Sequence, residues 1–105
     1  MSAAFVRPDA PLTVVLLTYV APIEEVDAQL EAHVAWLKAG LEAGVILVAG
    51  RRTPRSGGVI LFRGTAEAVE PVAQADPFVT SGVATYELIP FNASLAATTL
   101  GDALA

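Results

Sequence analysis

Three stretches of this chain are apolar on both sides of an extended backbone. "LTVVLLTYV" (Leu12 to Val20), "VILVAG" (Val45 to Gly50) and "VILFRG" (Val59 to Gly64) are rich in β-branched residues and bounded by proline or glycine, the marks of strands. Side chains alternate across a strand. Val14 and Leu16 therefore face one way, and Val15 and Leu17 the other. Val45 and Leu47 likewise oppose Ile46 and Val48, and Val59 and Leu61 oppose Ile60 and Phe62. A strand with one wet face alternates apolar with polar residues. These do not, so both faces of their sheet must be covered.

Helical patterns lie between the strands. In "APIEEVDAQLEAHVAWLKAGLEAG", Ile23, Val26, Leu30, Val34, Leu37 and Leu41 recur at helical spacing and form one stripe. Pro22 suits the first turn, Glu24, Glu25 and Asp27 suit its positive end, and Gly44 is a stop signal. Thr65 caps a second helix that runs towards Asp76, and Pro71 inside it predicts a kink or a late start. "GVATYELIPF" holds a fourth strand, and the tail from Asn92 predicts a short terminal helix. The order β-α-β-β-α-β is the split βαβ, ferredoxin-like pattern of an α+β domain, with both helices on one face of an antiparallel sheet. The 105 residues make a single domain, 1–105, with a core at 12–91 and a tail or short helix at 92–105. Two helices cover only one face. An open apolar face is a patch that soluble monomers avoid, so the other face predicts a homodimer packed sheet to sheet.

Composition narrows the function. The chain is 54% hydrophobic and 16% charged, unlike a disordered segment. A net charge of −5 argues against nucleic acid and anionic membrane surfaces as partners. With no cysteine, thiol catalysis, disulfides and thiolate metal sites are excluded. A single histidine argues against a multi-histidine metal site. A site of one histidine with carboxylates stays open as an alternative, no GxGxxG or Walker pattern is present, and the expectation is no metal and no cofactor. No stretch is long enough to span a bilayer, and "MSAAFVRPDAP" lacks the apolar core of a secretory leader. The expected compartment is the cytoplasm.

The chemistry-bearing residues are few. His33 lies about 60° from Leu30 around the first helix, at the edge of the apolar stripe. An imidazole half sheltered there exchanges protons near neutral pH. The alternative is a boundary histidine with no role beyond packing. Asp76 precedes Pro77, which pushes it out of the α region and fixes its turn. At a helix C-terminus a carboxylate is disfavoured by roughly 0.3–1 kcal/mol, so Asp76 is either a turn starter or a residue held for chemistry. An Asp–His pair orients an imidazole and raises its basicity. Arg51, Arg52 and Arg55 are three of the six basic residues and share one loop. Gly57 and Gly58 follow and allow close backbone approach. The loop either grips a carboxylate or phenolate or is a solvated surface. Arg55, Arg52 and Ser56, with Tyr19 and Phe78, are the candidates for binding a small-molecule substrate.

"EAHVAWLKAGLEAG", "LVAGRRTPRSGGVILF" and "AQADPFVTSGVATYELIPF" together resemble the YciI-like (YCII-related) proteins over about Leu12 to Phe91. The helix-one histidine, the "DPF" turn and the "PF" after strand four carry the resemblance. It implies a dimeric α/β barrel of ferredoxin-like subunits with the two sheets packed together. It also implies a site built on a His–Asp pair, here His33 and Asp76. Related barrels include muconolactone isomerases and small monooxygenases that use no metal or flavin, and dehydrochlorinase-type chemistry on hydroxylated aromatics belongs to part of the family. The chain departs from its relatives at Arg51, where proline often follows the glycine, and at Pro71. Two functions follow as expectations. One is a cofactor-free lyase or isomerase, in which His33 is the acid or base, Asp76 orients it, and Arg55 or Arg52 holds an anionic oxygen of a small cyclic or aromatic substrate. The other is a non-catalytic dimeric module that binds a small ligand.

Overall fold

The computed structural model describes the backbone of residues 3–104 and the side chains of residues 10–104. Met1, Ser2 and Ala105, at the ends of the expected 1–105 domain, lie outside the described residues. The elements are β1 (Ala3–Tyr19), α1 (Ile23–Ala28), α2 (Leu30–Glu42), β2 (Ile46–Arg51), β3 (Gly57–Arg63), α3 (Ala66–Gln74), α4 (Pro77–Thr80), β4 (Ala84–Ala97) and α5 (Thr98–Leu104). The strands form one four-stranded antiparallel sheet in the order β2-β3-β1-β4.

The register divides the apolar residues between the two faces. Val15 pairs with Ile60 and Leu88, and Leu17 with Gly58 and Tyr86. Val15, Leu17, Ile60 and Phe62 pack with Val26 of α1, Val69 and Ala73 of α3 and Phe78 of α4 in the main core. Each such buried side chain contributes about 1.5–3 kcal/mol. On the opposite face Val14 and Leu16 are half-buried, while Val48, Val59, Ile89 and Phe91 are exposed. One end of this face is covered by α5, whose Leu104 packs on Ala10, Leu12 and Ala93. The Arg63 guanidinium holds α5 by donating to the Ala103 carbonyl at 2.8 Å.

Several boundaries differ from the sequence expectation. β1 starts at Ala3 rather than Leu12, and β4 runs on to Ala97. Pairing of β1 with β3 ends at Leu12↔Arg63, whereas its pairing with β4 continues to Ala3↔Ala97. Upstream of Leu12, β1 therefore has a free side, where a proline that lacks an N–H is tolerated. The terminal helix starts correspondingly later, at Thr98. The long first helix is two helices. They meet at Gln29, whose N–H bonds to the Val26 carbonyl at 3.0 Å, a tight 3₁₀-type link. α3 is capped by the Thr65 hydroxyl, which accepts from the Ala68 N–H at 3.3 Å. It starts at Ala66 and runs through Pro71, so the helix does not start late. Pro71 sits on its exposed side and forfeits one backbone bond, while Val69 and Ala73 anchor the buried side. Among the described residues no helix is long and apolar enough to cross a membrane.

Candidate functional site

The turn after α3 sets up the site. α3 ends on Ala75, and Asp76 (φ −58°, ψ 126°) leaves the helical region and becomes the N-cap of α4, with Pro77 at its first position. Pro77 forces this, because it disfavours the α region for the residue before it and suits the start of a helix. Asp76 Oδ1 accepts the Phe78 N–H at 2.9 Å, which is an N-capping bond. The expected position at a negative helix end is thereby corrected: Asp76 belongs to the start of the next turn, where an acceptor is wanted.

The same Oδ1 lies 2.7 Å from Nδ1 of His33 on α2. Asp76 is 0% exposed and His33 8%. The imidazole stacks on the Phe78 ring, with centroids 3.8 Å apart and planes 7° from parallel, and Trp36 stands 5.8 Å away on its own helix. A carboxylate only accepts, so Nδ1 donates to it. This leaves Nε2 as the free ring nitrogen, without a hydrogen-bond partner among the described residues. His33 is buried rather than half sheltered at a stripe edge. Val26 of α1 and His33 and Gly40 of α2 face the interior, and Ile23 of α1 and Leu41 of α2 remain exposed. A Cβ at Gly40 would overlap the outer atoms of the Ile46 side chain, which would have to shift.

His33 opens onto a cavity of about 190 Å³. A cavity of about 150 Å³ accepts benzene, so this space suits a single ring. Leu30, Val34 and Leu37 of α2 form one wall, and Leu17, Ile60 and Phe78 help form the other. Gly57 closes β3 onto β1, and a Cβ there would overlap the Leu17 carbonyl oxygen. The remaining polar lining is Tyr19, Arg51 and Arg55. Asp76 stands behind His33 and does not line the cavity.

The arginines divide. Arg55 donates to Asp27 Oδ1 at 2.6 Å, and its Cζ lies 5.9 Å from the Tyr19 ring centroid. The hydrogen bond to Asp27 is the main reason its already high pKa is raised, with Tyr19 adding to it and desolvation opposing it. Arg52 is exposed and donates to the Thr18 hydroxyl at 3.4 Å. The Ser56 hydroxyl donates to the Pro54 carbonyl at 3.3 Å. Neither Arg52 nor Ser56 lines the cavity, while Tyr19, Arg55 and Phe78 do. Arg51, expected in one loop with Arg52 and Arg55, is instead the last residue of β2 and lines the cavity. Carrying the strand one residue further puts Arg51 on the same side as Ala49 by two-residue alternation, and Ala49 lines the cavity too. Among the described residues no group of three or more His, Cys, Asp or Glu side chains is placed to hold a metal ion.

The sequence model of the YCII-related domain matches residues 1–92. The chain belongs to the YCII-related domain family. Residues 93–105 of this YCII-related protein fall beyond the match, and they hold the end of β4 and α5. Comparison with curated protein sequences gives no match. Among solved structures, 5-chloro-2-hydroxyhydroquinone dehydrochlorinase (TftG) from Burkholderia phenoliruptrix AC1100, in complex with 2,5-dihydroxybenzoquinone, is similar at a TM-score of 0.63 and 19% identity. The alignment covers 74% of this chain and 90% of that one. At that identity the likeness is one of fold: a mixed α+β chain with a four-stranded antiparallel sheet.

Proposed function

We propose that this YCII-related protein is a small cofactor-free enzyme that moves a proton on a single-ring substrate, as a lyase, an isomerase or a dehydrochlorinase-like eliminating enzyme. His33 is the general acid–base and Asp76 orients it. The observation that carries this reading is the 2.7 Å bond between His33 Nδ1 and a fully buried Asp76. It fixes the ring through Nδ1, leaves Nε2 for the substrate, and stabilises the imidazolium once Nε2 has taken a proton. In an elimination, Nε2 accepts the substrate proton. The electron pair of the broken bond moves through the ring and expels the leaving anion. In an isomerisation, Nε2 returns the proton at another atom.

A second observation favours chemistry over capping. Asp76 Oδ2 is buried without a hydrogen-bond partner, an arrangement that costs about 1–3 kcal/mol. Capping the short helix uses Oδ1 alone and does not require that Oδ2 be buried unpaired. The proposed assembly is a cytoplasmic homodimer of ferredoxin-like subunits, joined through the face of Val14, Leu16, Val48 and Val59 as a dimeric α/β barrel.

The test is turnover of a panel of hydroxylated and chlorinated single-ring aromatics and quinones, 2,5-dihydroxybenzoquinone included, followed by absorbance and by deuterium uptake from D₂O. Wild type should convert at least one member. His33→Gln, still folded by circular dichroism, should be slower by roughly 10²–10⁴-fold, the usual contribution of a positioned acid–base group. Equal rates in the two proteins, or no turnover of any member, would contradict the proposal.

A further inference from the structure

We propose that the cavity selects an anion, a ring bearing a phenolate or carboxylate group. Arg51 supplies the selecting charge, and Arg55 is a neutralised donor held in place by Asp27. The inference rests on reading the cavity as the substrate site and adds the chemical class of what enters it.

Arg51 and Arg55 are the two cationic side chains in an otherwise largely apolar wall. They are not equivalent. Arg55 spends one terminal nitrogen on Asp27 of α1, which does not line the cavity, and its guanidinium lies over Tyr19. The Asp27 carboxylate balances its charge. The Arg55 Nε is shielded from solvent and has no hydrogen-bond partner, so it is closed to a ligand oxygen and leaves the selection to Arg51.

Arg51 has no hydrogen bond or ion pair among the described residues. With Arg55 paired to Asp27 and the Asp76 carboxylate taken up by His33, Arg51 is the cation of the lining left without a counter-charge. It sits on a protein whose net charge is −5, so the attraction is local to the cavity. A neutral ring would leave the Arg51 charge without a partner. An anionic ring meets it, because guanidinium groups hold carboxylate and phenolate oxygens through short charge-assisted hydrogen bonds. The apolar wall of Leu30, Val34 and Leu37 then takes the ring.

The probes are benzoate and its neutral near-isostere benzamide, titrated calorimetrically and by the fluorescence of Trp36, the sole tryptophan. Wild type should bind benzoate at least about tenfold more tightly, the scale of a charge-assisted hydrogen bond. Arg51→Gln should abolish that preference and leave benzamide binding unchanged, whereas Arg51→Lys should keep part of it. Asp27→Asn, which leaves Arg55 unbalanced, should strengthen benzoate binding. His33→Gln should keep the preference, which separates this inference from the catalytic one. Equal affinities in wild type, no measurable affinity for either probe, or a preference that survives Arg51→Gln in a folded protein would overturn the anion assignment while leaving the acid–base role of His33 standing.

Discussion

The imidazole of His33 lies flat on the ring of Phe78, 3.8 Å between centroids, while the Phe78 backbone N–H donates to the same Asp76 oxygen that His33 touches. Three consecutive residues thus fix one side chain. Asp76 sets the direction of the ring, Pro77 holds Asp76 out of the helix, and Phe78 fixes the ring plane. An aromatic stack of this kind contributes about 0.5–1.5 kcal/mol beyond the area it buries. The "DPF" turn is therefore a mount for the histidine, and its short helix α4 follows from the capping geometry.

Two substitutions at Asp76 should separate its roles. Asp76→Asn keeps an oxygen for the Phe78 N–H but removes the charge, so the melting temperature should fall modestly. Asp76→Ala removes the cap, about 0.5–2 kcal/mol, and leaves the buried His33 donor unpaired, about 1–3 kcal/mol. It should melt well below Asp76→Asn. Both should lower turnover strongly. Adding His33→Gln to either should slow it little further, because groups that act as a unit are not additive. Thermal melts and steady-state rates on the same preparations check this, and fully additive losses would contradict it.

Gly57→Ala should destabilise the fold. The added methyl meets the Leu17 backbone carbonyl, not a flexible side-chain end, so β3 must move away from β1. Overpacking of this kind costs about 1–3 kcal/mol, which chemical denaturation would register. Because Gly57 also lines the cavity, ligand affinity should fall with it. A methyl group at Gly50 would have nothing within 4 Å, so Gly50→Ala should leave stability close to wild type and serves as the control.

Assembly has its own signature in β1. Val15 and Leu17 are each 1% exposed and belong to the core under the helices, whereas Val14 and Leu16 face the other way. Leu16→Asp should give a folded monomer at micromolar concentration where wild type elutes as a dimer. Val15→Asp should unfold the chain by burying an unpaired charge. Light scattering and circular dichroism distinguish the outcomes. A wild-type monomer stable at that concentration would contradict the proposed barrel.

The strands were legible because β-branched runs between prolines and glycines have few other uses, and Thr65 announced its cap. The phase of the first helix was less so. Counting apolar residues points the stripe at Ile23 and Leu41, but the inward positions include a histidine and a glycine, which such counting treats as neutral or polar. His33 and Gly40 are inside because of what they meet, Asp76 and Ile46, from distant parts of the chain. Leu30, Val34 and Leu37 were correctly placed on one face, yet that face lines a cavity as well as a core, a difference periodicity does not encode. Arg51 and Arg52 read alike in the sequence as parts of one basic loop; the alternation that separates them follows only once β2 is carried to Arg51.

The most direct test is the tautomer of the single histidine, read from long-range ¹H–¹⁵N correlations of the neutral ring. With Nδ1 donating to Asp76, the proton should reside on Nδ1 and Nε2 should be bare, and Asp76→Ala should abolish that fixed preference. A neutral ring protonated on Nε2, or a tautomer indifferent to Asp76→Ala, would contradict the role proposed for the pair.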